Sequence, residues 1–146
     1  MSVRPYTSKD YYQVHKIYRE SFGPEYTERL LKDHIQTSDF VWVYQNDNGP
    51  VVGYLLAELC DGAAYLSQVA VAPMARKCGV ATDLIQSFEK YYEQKACDVA
   101  FLHVMEVNPS QNLYHSLGYR VSRFEPNLYG HDQHGLRMVK SLGVTA

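Results

Sequence analysis

The spacing of apolar positions changes period several times along the chain, and each change marks an element. Val3-Arg4-Pro5 predicts a short first strand. Val14, Ile17, Tyr18 and Phe22 recur at helical intervals, behind candidate caps at Thr7 and Ser8, and Gly23-Pro24 stops that helix. EYTERLLKDHI (25–35) predicts a second, shorter helix. The period then falls to two. FVWVY (40–44) and VVGYLLAEL (51–59) flank the turn QNDNGP, and Asp61-Gly62 turns the chain into a strand from Ala64 to Val71. Helical spacing returns over Thr82 to Lys95, with Leu84, Ile85, Phe88 and Tyr91 or Tyr92 on one face. VAFLHV (99–104) is strongly apolar and predicts a strand buried on both faces. Pro109 suits the first turn of a helix through Leu117, and Gly118 its C-terminal cap. YRVSRF (119–124) and GLRMVKSL (135–142) alternate as two late strands.

The order β-α-α-β-β-β-α-β-α-β-β predicts an α/β (α+β) fold, a mixed sheet with helices on both faces. At 146 residues the chain is expected to form one domain, residues 1–146. Hydrophobic residues make up 46% and charged residues 21%, ordinary globular values that argue against disorder. The net charge of -2 offers no basic face for nucleic acid or an anionic membrane, so neither is expected as a partner. No apolar run approaches the ~20 residues of a membrane span, and MSVRPYTSKD lacks a signal-peptide core. A cytoplasmic protein is the expectation.

Cys60, Cys78 and Cys97 are odd in number and form no CxxC pair, which argues against a disulfide framework or a thiolate metal site. His131-x-x-His134 lies in a Gly/Asp/Gln-rich turn without clear further ligands, so no metal is expected. Thirteen tyrosines are many for this length; core-edge packing explains them, and pocket lining is the other use of such rings.

The chemistry concentrates in LSQVAVAPMARKCGVATDLI (66–85), where a strand runs into a short basic loop and then a helix. Gly79 lets the backbone turn tightly and approach a ligand. The helix behind it presents orphan N–H groups and a positive dipole end, and Arg76 and Lys77 add cationic charge. These are the parts of an anion cradle. A plain glycine turn with solvated cations would share the same residues.

The surroundings separate the two readings. A strand ending VAVAP, followed by R/Q-x-x-G-x-G/A and a helix, resembles motif A of the GNAT superfamily of acetyl-CoA-dependent N-acetyltransferases. The resemblance covers nearly the whole chain, since the element order is the GNAT order, and it continues in NPSQNLYHSLGYR (108–120). It implies a mixed, mostly antiparallel sheet of six to seven strands flanked by four helices. It further implies that acetyl-CoA is the cosubstrate. The pyrophosphate would be held by the segment of Arg76, Lys77, Cys78, Gly79, Val80, Ala81 and Thr82. Backbone groups of Val69, Ala70 and Val71 would pair with the pantetheine like an added strand. The acyl group would sit where that strand and FLHVM part, as expected of a break in a sheet. Asn108 falls near the family's asparagine, but six residues separate it from Tyr114 where the family has seven. Either the loop is one residue shorter or Asn108 is not the usual cosubstrate contact.

Transfer to an amine requires a neutral nucleophile, a stabilised oxyanion and a proton for the departing thiolate. The resemblance puts Tyr114 in the position of the general acid. His103 resembles a histidine that can deprotonate the amine in protein N-terminal acetyltransferases; Glu106 is the rival base. Many relatives carry an acid on the motif A strand, whereas this chain has Ser67 and Gln68 there. Cys78 falls in the phosphate loop, away from the expected thioester, and Cys60 and Cys97 have no evident histidine partner, which favours direct transfer over an acetyl-enzyme.

EPNLYGHDQHGLRMVKSL (125–142) resembles the last hairpin of N-terminal acetyltransferases, including the ribosomal-protein alanine type. In them, tyrosines of this loop help to hold the peptide backbone. Tyr129 matches the second such tyrosine, Leu128 replaces the first, and Glu25 and Tyr26 occupy the other usual wall of the acceptor slot. An α-amine titrates near 7.7–8.0 and a lysine near 10.4, so at neutral pH deprotonation costs about 1 kcal/mol or less against about 4–5. A strand without a carboxylate suits the α-amine. The expected function is acetyl transfer to a primary amine, with a protein or peptide N-terminus favoured. A polyamine or amino sugar acetyltransferase is the alternative, and a non-catalytic acetyl-CoA-binding module belongs to a third class. The oligomeric state is open between monomer and homodimer.

Overall fold

The computed structural model describes residues 2–24 and 27–143. Its elements follow the expected order: β1 (Ser2–Pro5), α1 (Tyr11–Phe22), α2 (Glu28–Thr37), β2 (Phe40–Gln45), β3 (Val51–Cys60), β4 (Ala63–Val71), α3 (Val80–Gln94), β5 (Val99–Met105), α4 (Gln111–Ser116), β6 (Arg120–Gly130) and β7 (Gln133–Ser141). The seven strands are hydrogen-bonded in the order β1-β2-β3-β4-β5-β7-β6. β4 and β5 are parallel, and β1–β2, β2–β3, β5–β7 and β6–β7 are antiparallel. The chain forms two compact units, one of residues up to Glu58 with Leu66–Tyr91, the other of Leu59–Tyr65 with the chain from Tyr92 onward.

In the first unit the apolar stripe of α1 does what its spacing predicts. Val14, Ile17 and Tyr18 are buried with Leu31 of α2 against Val43, Tyr54 and Leu56 of the strands. Each such side chain removed from water contributes about 1.5–3 kcal/mol. A 3-10 turn at Ser8–Asp10 precedes the helix. There the Asp10 carboxylate accepts both Arg4 guanidinium nitrogens, at 2.9 and 2.7 Å, and the Thr7 N–H at 2.8 Å. These donors hold its carboxyl below the usual carboxylate range. α2 begins at Glu28, three residues later than its apolar pattern suggests, because the Thr27 hydroxyl caps the Leu30 N–H.

α3 also starts away from its expected boundary, at Val80 rather than Thr82, and the reason lies in β3. A Cβ at Gly53 would stand 2.9 Å from Val80 Cγ1 and 3.2 Å from Leu84 Cδ1. The missing side chain lets the first turn of α3 press directly on the strand.

In the second unit β5 is not buried on both faces. Ala100, Leu102 and Val104 are buried, while Phe101, His103 and Met105 on the other face stay partly exposed. The alternation belongs to a strand with one packed face, which a run of apolar residues conceals when an aromatic ring and an imidazole lie among them. α4 is also shorter than expected, six residues against the predicted stretch to Leu117, and the chain turns out of it at Gly118 with φ 99°. β6 runs on to Gly130, past the expected end at Phe124, with register shifts along its pairing to β7. It is last in the strand order, and all its residues but the half-buried Glu125 are exposed.

Candidate active site

The end of β4 and the loop behind it belong to the first unit and are tied together through the main chain. The Ala72 N–H donates to the Val52 carbonyl at 2.8 Å, which anchors the strand end. Arg76 turns back, its Nε donating to the Val71 carbonyl at 3.0 Å and its Nη2 reaching Ser21 Oγ at 3.5 Å. Lys77 and Gly79 both have positive φ, 62° and 83°. That alternation delivers the chain to the first turn of α3, whose first helical bond runs from the Asp83 N–H to the Gly79 carbonyl at 3.0 Å. Val80, Ala81 and Thr82 therefore contribute first-turn N–H groups, which have no partner within a helix. Residues 76–79 are all exposed. A Cβ built on Gly79 meets nothing within 4 Å, so the backbone there is open to an approaching group. Exposed amide donors, a helix N-terminus and two cations fit a diphosphate.

Earlier on β4 the alternation of buried and half-buried residues lapses, and Ser67, Gln68 and Val69 are all partly exposed. Gln68 Oε1 accepts the Tyr54 hydroxyl at 2.7 Å. Ser67 Oγ is hydrogen-bonded to Nε2 of His34, which reaches it from α2. Burial pushes the His34 imidazole down from its ordinary value, against the charge of Glu58. The pair joins elements more than thirty residues apart, and no local pattern announces it.

In the second unit the candidate base has partners that the sequence does not disclose. β4 and β5 pair at Ala64–Ala100 and Tyr65–Phe101. This register brings the Tyr65 hydroxyl to 3.3 Å from His103 Nδ1, while Nε2 faces Glu125 Oε2 of β6 at 3.7 Å. Burial lowers the His103 pKa, Glu125 opposes that, and Arg137 and Arg123 add to it. The imidazole is thus neutral at pH 7 and able to accept a proton. Arg123 pairs with Glu125 at 2.9 Å, and Arg137 lies over the Phe101 ring. Tyr65, Glu125 and the two arginines were absent from the residues singled out by sequence; knowledge of the strand register would have found them. Glu106, the rival base, is exposed in the turn after β5.

Tyr114 is buried on α4, its ring edge-on to Tyr119. Burial, with a contribution from Tyr129, raises its pKa to about 12. Since a thiol titrates near 8.5, such a phenol stays protonated and acts as a hydrogen-bond donor to a thiolate more readily than it surrenders its proton. Asn108 does not extend freely: its Oδ1 accepts the Ser110 N–H at 2.9 Å and shapes the turn into α4. Tyr129, exposed on β6, passes with Leu128 over Gly135, where a Cβ would stand 3.0 Å and 2.6 Å from the two side chains. His134 accepts the Asn127 N–H through Nδ1 and faces Asp132, and His131 is exposed in the same turn. Glu25 and Tyr26 lie outside the described residues.

Comparison with known proteins adds the following. The model of the acetyltransferase (GNAT) family matches residues 11–119. An uncharacterized N-acetyltransferase of Methanocaldococcus jannaschii is 29% identical over 142 residues, covering 96% of this chain and 91% of that one. The N-terminal acetyltransferase complex ARD1 subunit homolog of Dictyostelium discoideum is 32% identical over 104 residues, 67% of this chain and 51% of its own. The match thus spans about half that relative's length. The ribosomal-protein-S18-alanine N-acetyltransferase of Escherichia coli superposes with a TM-score of 0.82 at 18% identity, covering 99% of this chain and 96% of that one. An aminoglycoside 6'-N-acetyltransferase complexed with coenzyme A gives 0.87 at 14% identity, covering 100% and 99%. At such identities the two structures speak for the fold alone. No helix among the described residues is long and apolar enough to cross a membrane.

Proposed function

The chain belongs to the acetyltransferase (GNAT) family of acetyl-CoA-dependent N-acetyltransferases, and from that premise we propose that its acceptor is the α-amine of a protein or peptide. One observation carries the choice. The polar side chains of β4 itself are neutral: Ser67 and Gln68 are engaged with His34 and Tyr54, and burial lowers the pKa of His103 on β5. Such groups manage an amine that titrates near 8 far more readily than a lysine near 10.4, since each unit is worth about 1.36 kcal/mol. The N-terminal acetyltransferase name of one relative points the same way.

Acetyl-CoA supplies the activated acetyl thioester; the rest falls to the chain. The backbone of Val69, Ala70 and Val71 aligns the pantetheine arm, and the amides of residues 76–82 hold the diphosphate, with Arg76 and Lys77 offsetting its charge. Asn108 shapes the loop ahead of α4. His103 receives the ammonium proton at Nδ1, with the Tyr65 hydroxyl as the intervening donor and acceptor. Glu125 then faces the imidazolium formed. Glu106 remains the exposed alternative for that proton. Tyr114, held protonated, donates a hydrogen bond to the leaving sulfur. Tyr129 helps to hold the acceptor.

A second reading rests on Leu128, which stands where the peptide-holding tyrosine would be. It makes the acceptor a small amine. The deciding experiment counts thiol released from acetyl-CoA with free-N-terminus peptides, Nα-blocked lysine peptides, spermidine and an aminoglycoside. Turnover confined to the free-N-terminus peptides is expected. Turnover on the small amines alone would replace the first reading by the second.

A further inference from the structure

Besides the Tyr65–His103 pair, one more hydroxyl–imidazole pair sits on β4. Ser67, two residues on, is bonded to Nε2 of His34. Its setting differs from an ordinary helix-to-strand contact in three ways. The pair lies where the burial alternation of β4 lapses, so both side chains keep part of their surface in solvent. His34 is kept neutral by burial, and Glu58 of β3 is the charged group acting on it. Finally, a diphosphate on residues 76–82 and a pantetheine arm running back along Val71 and Val69 would bring the thioester end toward residue 67. Two residues of strand span only about 6.6 Å.

We propose that Ser67 and His34 form a proton relay for the acceptor amine. The ammonium passes a proton to Ser67 Oγ as the hydroxyl proton moves to His34 Nε2. The amine is left neutral with its lone pair free, Ser67 is regenerated as a hydroxyl, and His34 becomes an imidazolium facing Glu58. The relay gives the amine proton a way out that is independent of His103. It rests on the acetyl-transfer reading above but not on the identity of the amine.

The test compares wild type with His34→Gln, Ser67→Ala and Ser67→Thr in the thiol-release assay, using whichever of the four acceptors the wild type turns over. His34→Gln keeps a hydrogen-bonding group opposite Ser67 but cannot take up a proton. It should lower kcat about tenfold near neutral pH, less than the ~100-fold of a sole general base because His103 remains. The loss should fade as pH rises past about 8, where an α-amine deprotonates unaided. Ser67→Ala should repeat this pattern and Ser67→Thr, which retains the hydroxyl, should not, while acetyl-CoA affinity stays unchanged in all three. Rates equal to wild type at every pH, or a loss that is the same at every pH, would overturn the relay and leave acetyl transfer standing. Wild-type turnover on small amines alone would instead overturn the α-amine reading, and the same pH-dependent losses on that amine would still support the relay.

Discussion

The loop before α3 and the outer strand β6 of the β6–β7 hairpin are both exposed, yet loop and hairpin are built from different materials. The loop is held by main chain. The Ala72 N–H bonds to the Val52 carbonyl, the Asp83 N–H to the Gly79 carbonyl, and positive φ at Lys77 and Gly79 sets the direction of the amides. The hairpin adds side-chain ties to its main-chain ladder. Arg123 pairs with Glu125, Ser122 bonds to the Arg137 carbonyl, His134 accepts the Asn127 N–H, and Leu128 and Tyr129 fold over Gly135. A backbone device tolerates most side chains but very few changes of φ. A side-chain device fails when one atom is removed. The two regions should therefore answer differently to substitution.

The largest effect is expected on the side-chain side, at Tyr114 beside Tyr129. Tyr114→Phe removes one hydroxyl and should lower kcat by about 100-fold, the low end of what a positioned proton donor contributes. Acetyl-CoA affinity should not change. Steady-state kinetics beside a binding titration would check both, and a kcat within twofold of wild type would remove Tyr114 from the mechanism.

Gly79→Val is the corresponding blow to the backbone. The space is free, so steric overlap is not the cost. The cost is φ 83°, a left-handed conformation that disfavours a β-branched residue by about 1–2 kcal/mol. Relief by a change of φ would turn the amides away, and acetyl-CoA binding should weaken by about tenfold at 1.4 kcal/mol per decade. Exchange of the exposed Cys78 for Ala should leave binding near wild type. If Cys78→Ala weakens binding as much as Gly79→Val, the loop works through side chains and the comparison collapses.

The same contrast decides what was legible in the sequence. A backbone device needs glycine or proline at particular places, and these are visible: Pro73, Gly79, Gly118 and the strand-to-helix period change point to the fold and to the proposed cosubstrate loop. Side-chain constellations depend on register and helix placement. Tyr65 and His103 meet because of the parallel β4–β5 pairing, Glu125 joins them because β7 lies between β5 and β6, and His34 reaches Ser67 across α2. None of those distances follows from spacing along the chain. The one-faced burial of β5 was hidden for a related reason: Phe101 reads as core in a string of apolar letters, but in the fold it stacks on Tyr65 and lies under Arg137.

A smaller effect is expected at Gly135. An added Cβ would stand 2.6 Å from Leu128 Cδ2 and 3.0 Å from Tyr129 Cε2, so both side chains must shift in Gly135→Ala. Overpacking of this kind costs about 1–3 kcal/mol, toward the lower figure here because both rings and methyls lie near solvent. The acceptor KM should rise while acetyl-CoA affinity holds, the reverse of Gly79→Val. A thermal melt and the two constants measured together would show whether the hairpin serves the acceptor or only the fold.

The smallest change tests whether the hairpin also sets the histidine. Glu125 faces His103 Nε2 and favours its protonated form, while Arg137 and Arg123 disfavour it. Glu125→Gln keeps the shape and removes the charge, so the His103 pKa should fall further below its ordinary value. A base with a lower pKa remains unprotonated to lower pH. The acidic limb of the kcat/KM profile should therefore move to lower pH in Glu125→Gln. Arg123→Gln, which removes a charge of the other sign, should move it to higher pH. Lys77→Gln in the loop should weaken acetyl-CoA binding slightly and leave the limb where it is, because the charges acting on His103 are those of Glu125, Arg137 and Arg123. Limbs that stay fixed in both hairpin variants would mean that His103 is not the group being titrated.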